Sequence, residues 1–407
     1  RQLVAWVGEE NFLKGLKAYF DKHAWKNTEL SDLLTELSIS SGRDLDSWTE
    51  LWLKSSGATL LRPVIKTDDK NVITSAIINQ EPPSAPPGLP PVLRPHRLAV
   101  GLYDISGDLL KLRKSVELDV TGASTVVADL AGEKVADLLL INDRDLSYAK
   151  LRFDDRSIAT LKTHLGKLDD ALARSLCWAA IWDMHRDAEI SSSDFIEIAL
   201  NGLAGETDDA IVNIVLSQLG TSVEAYTQQA NRNSLREKLA DGLWALTNGC
   251  APASDLQLLI SRAFAINAHT EAQTANIRAL LNGSAPGLKV DADLRWYFII
   301  ALTERGATTK AELDAELAHD NTTTGNLAYE TCLAAMPTSD AKAYAFNKVL
   351  NEEISTSIRT ALVAGFQRPI QGALLEPFVN LYFDNLISVW ESKSYEPAAK
   401  YVTGFFP

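Results

Sequence analysis

Histidine is the side chain best suited to hold a metal ion or move a proton near neutral pH, and this chain has six, at positions 23, 96, 164, 185, 269 and 319. A zincin-type site, which activates a water on zinc, needs two His at i and i+4 on one helix face with a Glu beside the first. The residues that follow the six, Ala24, Arg97, Leu165, Arg186, Thr270 and Asp320, leave no His-Glu-x-x-His. His185 lies in the densest polar run on a predicted helix, Trp182-Asp183-Met184-His185-Arg186-Asp187. With no nucleophile or second His nearby in sequence, it reads as a hydrogen-bonded helix-end residue rather than an acid–base centre. His23, where a helix gives way to a turn, is explained by the carbonyl end of that helix. Cys177, Cys250 and Cys332 are isolated and odd in number, which signals neither a disulfide framework nor a thiolate metal site. The adjacent carboxylates Asp68-Asp69, Asp154-Asp155, Asp169-Asp170 and Asp208-Asp209 point to different faces of any helix and read as solvated turn residues. Gly-x-Ser-x-Gly, the phosphate loop and the dinucleotide fingerprint are all absent, so no cofactor is expected in this chain.

The elements that carry these residues change character twice. Through about residue 60, apolar side chains recur at three- and four-residue intervals (Leu3, Val4, Val7; Phe12, Leu16, Tyr19, Phe20), which predicts helices. Thr28 is expected to cap one carrying Glu29 and Asp32, and Asp44 to cap Leu45 to Lys54. Trp48 and Trp52 then share a face that reads as core rather than as a ligand platform. From 61 to 150, short β-branched runs at 61–66, 72–79, 97–103, 111–118, 124–128 and 136–141 alternate with Gly and Asp turns such as Ser106-Gly107-Asp108, the pattern of a small antiparallel β-sandwich. Seven prolines between Pro82 and Pro95 make the intervening segment a stiff extended loop. From Asp155 to the end the reading is helical again, with hydroxyl–acid capping signals at Ser191-x-x-Asp194, Thr221-x-x-Glu224 and Thr309-x-x-Glu312. Helix count and short loops predict a long α-α solenoid of the HEAT or armadillo kind over 151–407. The fold class is therefore mostly α with a small β domain.

At 407 residues and 46% hydrophobic the chain can bury two or three cores, and its formal net charge of −14 argues against nucleic acid. No run of eighteen apolar residues predicts a membrane span. The unpaired thiols point to a cytoplasmic setting, with secretion as the alternative.

Arg1 to Pro63, which reads RQLVAWVGEENFLKGLKAYFDKHAWKNTELSDLLTELSISSGRDLDSWTELWLKSSGATLLRP, resembles the stretch that closes the catalytic domain in zinc aminopeptidases of the aminopeptidase N family, gluzincins of actinobacterial type. Arg174 to Leu200, Leu294-Arg295-Trp296 and Gly365-Phe366-Gln367-Arg368-Pro369 resemble blocks of the helical C-terminal domain shared with endoplasmic-reticulum aminopeptidases. The resemblance implies three regions: 1–60, the last helices of a thermolysin-like catalytic domain; 61–150, the β-sandwich; 151–407, a helical cap. It also implies that the zinc-binding motif, the Gly-Ala-Met-Glu-Asn-type loop and the oxyanion-stabilising Tyr lie before Arg1. No residue here inherits those roles, and catalytic and metal-ligating residues are expected to be absent.

The resemblance thus implies a parent enzyme with one zinc ion that removes amino-terminal residues from peptides, while this chain alone is expected to be inactive and zinc-free. A start at Arg1 without Met, and an abrupt Phe405-Phe406-Pro407, fit a piece of a longer protein. Peptide substrate would be met through the missing catalytic domain. The cap's concave face is expected to offer cationic and polar groups to a peptide's carboxylate end, with Arg368, Gln367 and Gln371 as candidates. Apolar helix faces left bare in the first block are expected to promote self-association. The rival reading is a non-enzymatic helical-repeat scaffold that binds a protein partner.

Overall fold

Four short helices open the chain: α1 (Gln2–Val7), α2 (Glu9–His23), α3 (Leu30–Ser41) and α4 (Leu45–Trp52). Their apolar faces converge on Val7, Leu34, Leu37, Leu45 and Trp48, all buried. Asp44 caps α4 as expected, one carboxylate oxygen accepting from the amides of Asp46 and Ser47 at 3.0 and 3.2 Å. The cap of α3 is different from the one expected. Glu29, not Thr28, forms a reciprocal capping box with Asp32, because the Thr28 hydroxyl is engaged by Tyr19 Oη at 2.6 Å. Trp48 and Trp52 stack at 5.9 Å, and Trp52 donates its indole N–H to Pro95 O, so the pair faces the protein interior.

The seven strands are β1 (Leu60–Thr67), β2 (Ile73–Glu81), β3 (His96–Ser106), β4 (Leu109–Val120), β5 (Ser124–Val126), β6 (Leu138–Ile141) and β7 (Lys150–Leu151). They form a four-stranded sheet in the order β5-β2-β1-β7 and a three-stranded sheet in the order β4-β3-β6. Gly107 sits at φ 63° in the β3–β4 turn, where its missing Cβ removes the penalty of a left-handed backbone. One pairing departs from the antiparallel expectation: β7 runs parallel to β1, with Leu60 opposite Lys150 and Leu61 opposite Leu151. A two-residue strand leaves no periodicity to read. The proline segment is a loop whose far root is pinned by Arg94, which donates to Leu51 O at 2.8 Å and Ser55 Oγ at 2.7 Å.

The computed structural model describes residues 1–407 and divides into two compact units, Arg1–Glu206 and Thr207–Pro407. The first unit ends with α5 (Asp155–His164), α6 (Ala171–Arg186) and α7 (Ser192–Leu203). The second contains α8 (Asp209–Ala225), α9 (Gln229–Gly249), α10 (Asp255–Asn267), α11 (Glu271–Leu281), α12 (Ala292–Thr303) and α13 (Lys310–His319). It continues with α14 (Thr323–Ala335), α15 (Ser339–Asn351), α16 (Thr356–Phe366), α17 (Gly372–Leu375), α18 (Phe378–Ser392) and α19 (Tyr395–Gly404). The chain is mostly helical, and no helix is long and apolar enough to cross a membrane.

Capping explains most helix starts and also the carboxylate pairs. Asp154, Asp170 and Asp208 are the N-caps of α5, α6 and α8, and Asp68 accepts from Lys70 N and Val72 N in the β1–β2 turn. Ser191 and Thr309 cap α7 and α13 as expected. Thr221 does not start a helix. It lies inside α8 with its hydroxyl bonded back to Ser217 O, because the Asp208 cap begins that helix thirteen residues earlier and nothing breaks it before Ala225.

Candidate functional site

The residues most capable of acid–base chemistry are committed to structure. His185 closes the last turn of α6, buried, with its ring stacked on Phe195 at 4.9 Å and Nδ1 within 3.0 Å of Ile190 O. Burial holds its pKa below the ordinary histidine value, so the neutral ring is favoured. His96 is bracketed by Thr59 Oγ1 at 3.0 Å and Ser147 Oγ at 2.6 Å, and burial with Arg94 nearby pushes its pKa down to about 4. Cys177 and Cys332 are buried thiols and Cys250 is half-buried; burial pushes all three pKa values up, away from thiolate reactivity. No three His, Cys, Asp or Glu side chains converge as metal ligands would. The residues present therefore do not fit a zinc ion.

The predicted break after α16 is real and positions Arg368. Gly365 ends the helix against α14 so closely that a Cβ there would lie 2.2 Å from Thr331 O. The Phe366 and Gly365 carbonyls, together with Ala334 O, accept from Lys342 Nζ at 2.9 to 3.1 Å. Lys342 is fully buried with carbonyl oxygens as its acceptors, and burial pushes its pKa down to about 8. Pro369 then fixes an extended Arg368 and starts a single 3₁₀ turn to Gln371. Gln371 is a buried strut that donates to Glu304 O at 2.6 Å and Ala335 O at 2.8 Å, and Gln367 donates to Phe406 O at 3.2 Å. Of the three candidate residues, only Arg368 lines the adjoining cavity.

That cavity, about 530 Å³, lies within the second unit between α8, α9, α10, α12 and the segment 368–370. Its apolar wall includes Leu216, Leu259, Ile266 and Ile370. Its polar wall is guanidinium-rich. Arg236 grips the Glu224 carboxylate through Nε and Nη2 at 2.8 and 2.7 Å. Arg368 Nη1 lies 3.3 Å from Glu304, whose other oxygen is 2.5 Å from Arg305. Arg305 also donates to Ile266 O and Ala268 O at the end of α10. Arg262 is different: it lies over the Tyr297 ring at 5.5 Å, forms no ion pair, and its Nε has no acceptor. Burial raises the Tyr297 pKa to about 12 and keeps the phenol neutral. Three guanidiniums and two carboxylates line the cavity, and Arg305 pairs with Glu304 beside it, a local positive excess in a chain of net charge −14.

Sequence reasoning did not single out Arg262. The signal that existed was a lone Arg inside an apolar helical run, Leu258-Leu259-Ile260-Ser261-Arg262-Ala263-Phe264, with no acid four residues away.

The profile of the ERAP1-like C-terminal domain matches residues 138–407. Aminopeptidase N of Streptomyces lividans is 41% identical over 413 residues, covering all of this chain and 48% of that protein. Aminopeptidase N of Lactococcus lactis is 43% identical over 66 residues, 16% of this chain and 8% of its own length. Tricorn protease-interacting factor F2 of Thermoplasma acidophilum is 24% identical over 248 residues, 60% of this chain and 27% of that protein. The chain spans about half the length of the relative that matches it from end to end.

Proposed function

The chain belongs to the aminopeptidase N family as a C-terminal region carrying the ERAP1-like domain, and from that membership we propose that it caps the active site and shapes the substrate cavity of a zinc aminopeptidase that removes amino-terminal residues from peptides. In this reading the strands of 61–150 form a sandwich-like spacer, and the helices of 151–407 form a solenoid-like cover. The zinc ion and its ligands belong to the catalytic region that longer relatives carry, so this chain alone hydrolyses nothing. Its setting is cytoplasmic.

The observation that carries the reading is the guanidinium-rich cavity inside the ERAP1-like domain. A peptide held by its amino terminus at a distant metal presents its carboxylate at the other end. Arg262 and Arg368 are the groups to meet it, and the apolar wall of Leu216, Leu259 and Ile266 receives the last side chain. Gln367 and Gln371 hold the Arg368 segment rather than the substrate. The exposed Leu13, Phe20, Trp25 and Ile39 of the first block would pack against the catalytic region. The scaffold alternative is less favoured, because the relative that matches the whole chain is named as an aminopeptidase.

The test is hydrolysis of an aminoacyl-arylamide panel with added zinc, comparing this chain with one extended upstream through the expected metal motif. Activity confined to the extended form is expected; inactivity of both would favour the scaffold, and activity of the short chain would overturn the reading.

A further inference from the structure

The last long helix, α18, carries more apolar surface than its core covers. Side chains advance about 100° per residue around an α-helix, so its circumference can be read directly. Tyr382 and Val389 point inward and are buried, with Phe378 and Leu386 packed beside them against the cluster of Phe346, Phe366, Tyr401 and Phe405. Asn380, Asp384, Ser388 and Glu391 fill a polar arc. Between the two lies a second apolar stripe, Phe383, Ile387 and Trp390 at i, i+4 and i+7, which remain 53%, 65% and 51% exposed. Tyr395, at the start of α19 and 72% exposed, extends it with its ring 6.1 Å from that of Trp390.

We propose that this stripe is the contact surface of a reversible homodimer, in which α18 of one copy packs antiparallel against α18 of another about a two-fold axis near Ile387. A two-fold contact needs a self-complementary surface. The order aromatic, aliphatic, aromatic reads nearly the same in both directions, so Phe383 of each copy meets Trp390 of the other. The area also fits. Each of the four side chains leaves roughly 100 Å² or more exposed, so with the flanks of the helix a pair would bury about 1,000–1,200 Å², the low end for specific association. The dimer is therefore weak and in exchange, with a dissociation constant on the order of micromolar. Two copies of a chain with net charge −14 also repel, so salt strengthens the association by screening.

Sedimentation velocity of the 407-residue chain from about 1 to about 200 µM, bracketing a micromolar constant, tests this. The expected result is a monomer–dimer equilibrium that Ile387→Asp weakens at least about tenfold and Phe20→Asp leaves unchanged. Both positions are exposed, so melting by circular dichroism should stay close to the parent's. Independently of that variant, Ile387→Cys in a Cys250→Ser background should form a disulfide-linked dimer under mild oxidation, since the two-fold axis brings identical positions together. A chain that stays monomeric throughout, or a dimer lost with Phe20→Asp and kept with Ile387→Asp, would overturn the proposal. So would a monomer whose stripe instead binds a separately expressed catalytic half, with that binding blocked by Ile387→Asp.

Discussion

Replacing Arg262 with methionine keeps most of the aliphatic stem and removes the one cavity guanidinium that has no carboxylate of its own. A charge-assisted hydrogen bond to a partly buried group contributes about 1.5–3 kcal/mol. If a peptide's terminal carboxylate sits there, its dissociation constant should rise about 10- to 100-fold, one decade for every 1.4 kcal/mol. The fold should barely notice, because within the protein Arg262 makes only a cation–π interaction with Tyr297, worth about 0.5–1 kcal/mol. Arg236→Met makes the contrast: it strands the Glu224 carboxylate now held by two hydrogen bonds, so it should lower stability more than Arg262→Met does. The assay is fluorescence anisotropy of a labelled peptide on the intact chain, run with a free carboxyl terminus and with its amide. The free acid should bind more tightly to the parent, that preference should vanish in Arg262→Met, and added salt should erode it. Equal binding of acid and amide by the parent, or equal weakening of both by the substitution, would refute the assignment.

Two further substitutions probe the framework. Glu206 receives Arg174 in a bidentate grip at 3.0 and 3.1 Å and the Trp178 indole N–H at 2.9 Å, all buried, so Glu206→Ala should cost about 3–5 kcal/mol by stranding the guanidinium, read as the shift of the urea midpoint. Lys342, whose folded-state pKa is pushed down to about 8 from an ordinary value of 10.5, binds a proton less readily folded than unfolded. Stability should therefore rise with pH between about 8 and 10.5, and this component should be missing from Lys342→Met in paired denaturation curves; parallel curves across that window would count against it.

Caps whose partners all lie within one helical turn are legible in the sequence, and the readings that depart from the structure depend on residues farther along the chain. Asp44, Ser191 and Thr309 act within their own helical turn, so the letters around them sufficed. Thr221 fits the same pattern but starts no helix, because Asp208, thirteen residues earlier, already caps the one that contains it. Thr28 failed because Tyr19 on the preceding helix claimed its hydroxyl. The parallel partner of β1 lies some ninety residues downstream in a two-residue strand, a register that only tertiary packing specifies. Arg368 could be anticipated from the helix break at Pro369, whereas Arg262 could not, since its neighbours in the cavity come from four other stretches of chain.

The helix ends explain why an arginine in mid-helix is the one left to act. The carbonyl end of a helix carries roughly half a negative charge, and several such ends converge beside the cavity. Arg305 takes the end of α10 through Ile266 O and Ala268 O, Gln371 takes the ends of α12 and α14, and Lys342 takes those of α14 and α16. Glu304 occupies Arg305 a second time and shares Arg368. Arg262, set in the middle of α10, forms no ion pair, so it is the cavity guanidinium with no carboxylate of its own. With a Debye length of about 8 Å at physiological salt, that charge is felt only near the cavity mouth, while the remaining net negative charge of the chain gives an anionic peptide no long-range attraction. Arg262 is thus placed to orient a peptide that has already arrived rather than to draw one in, so its loss should raise the rate of release far more than it slows association.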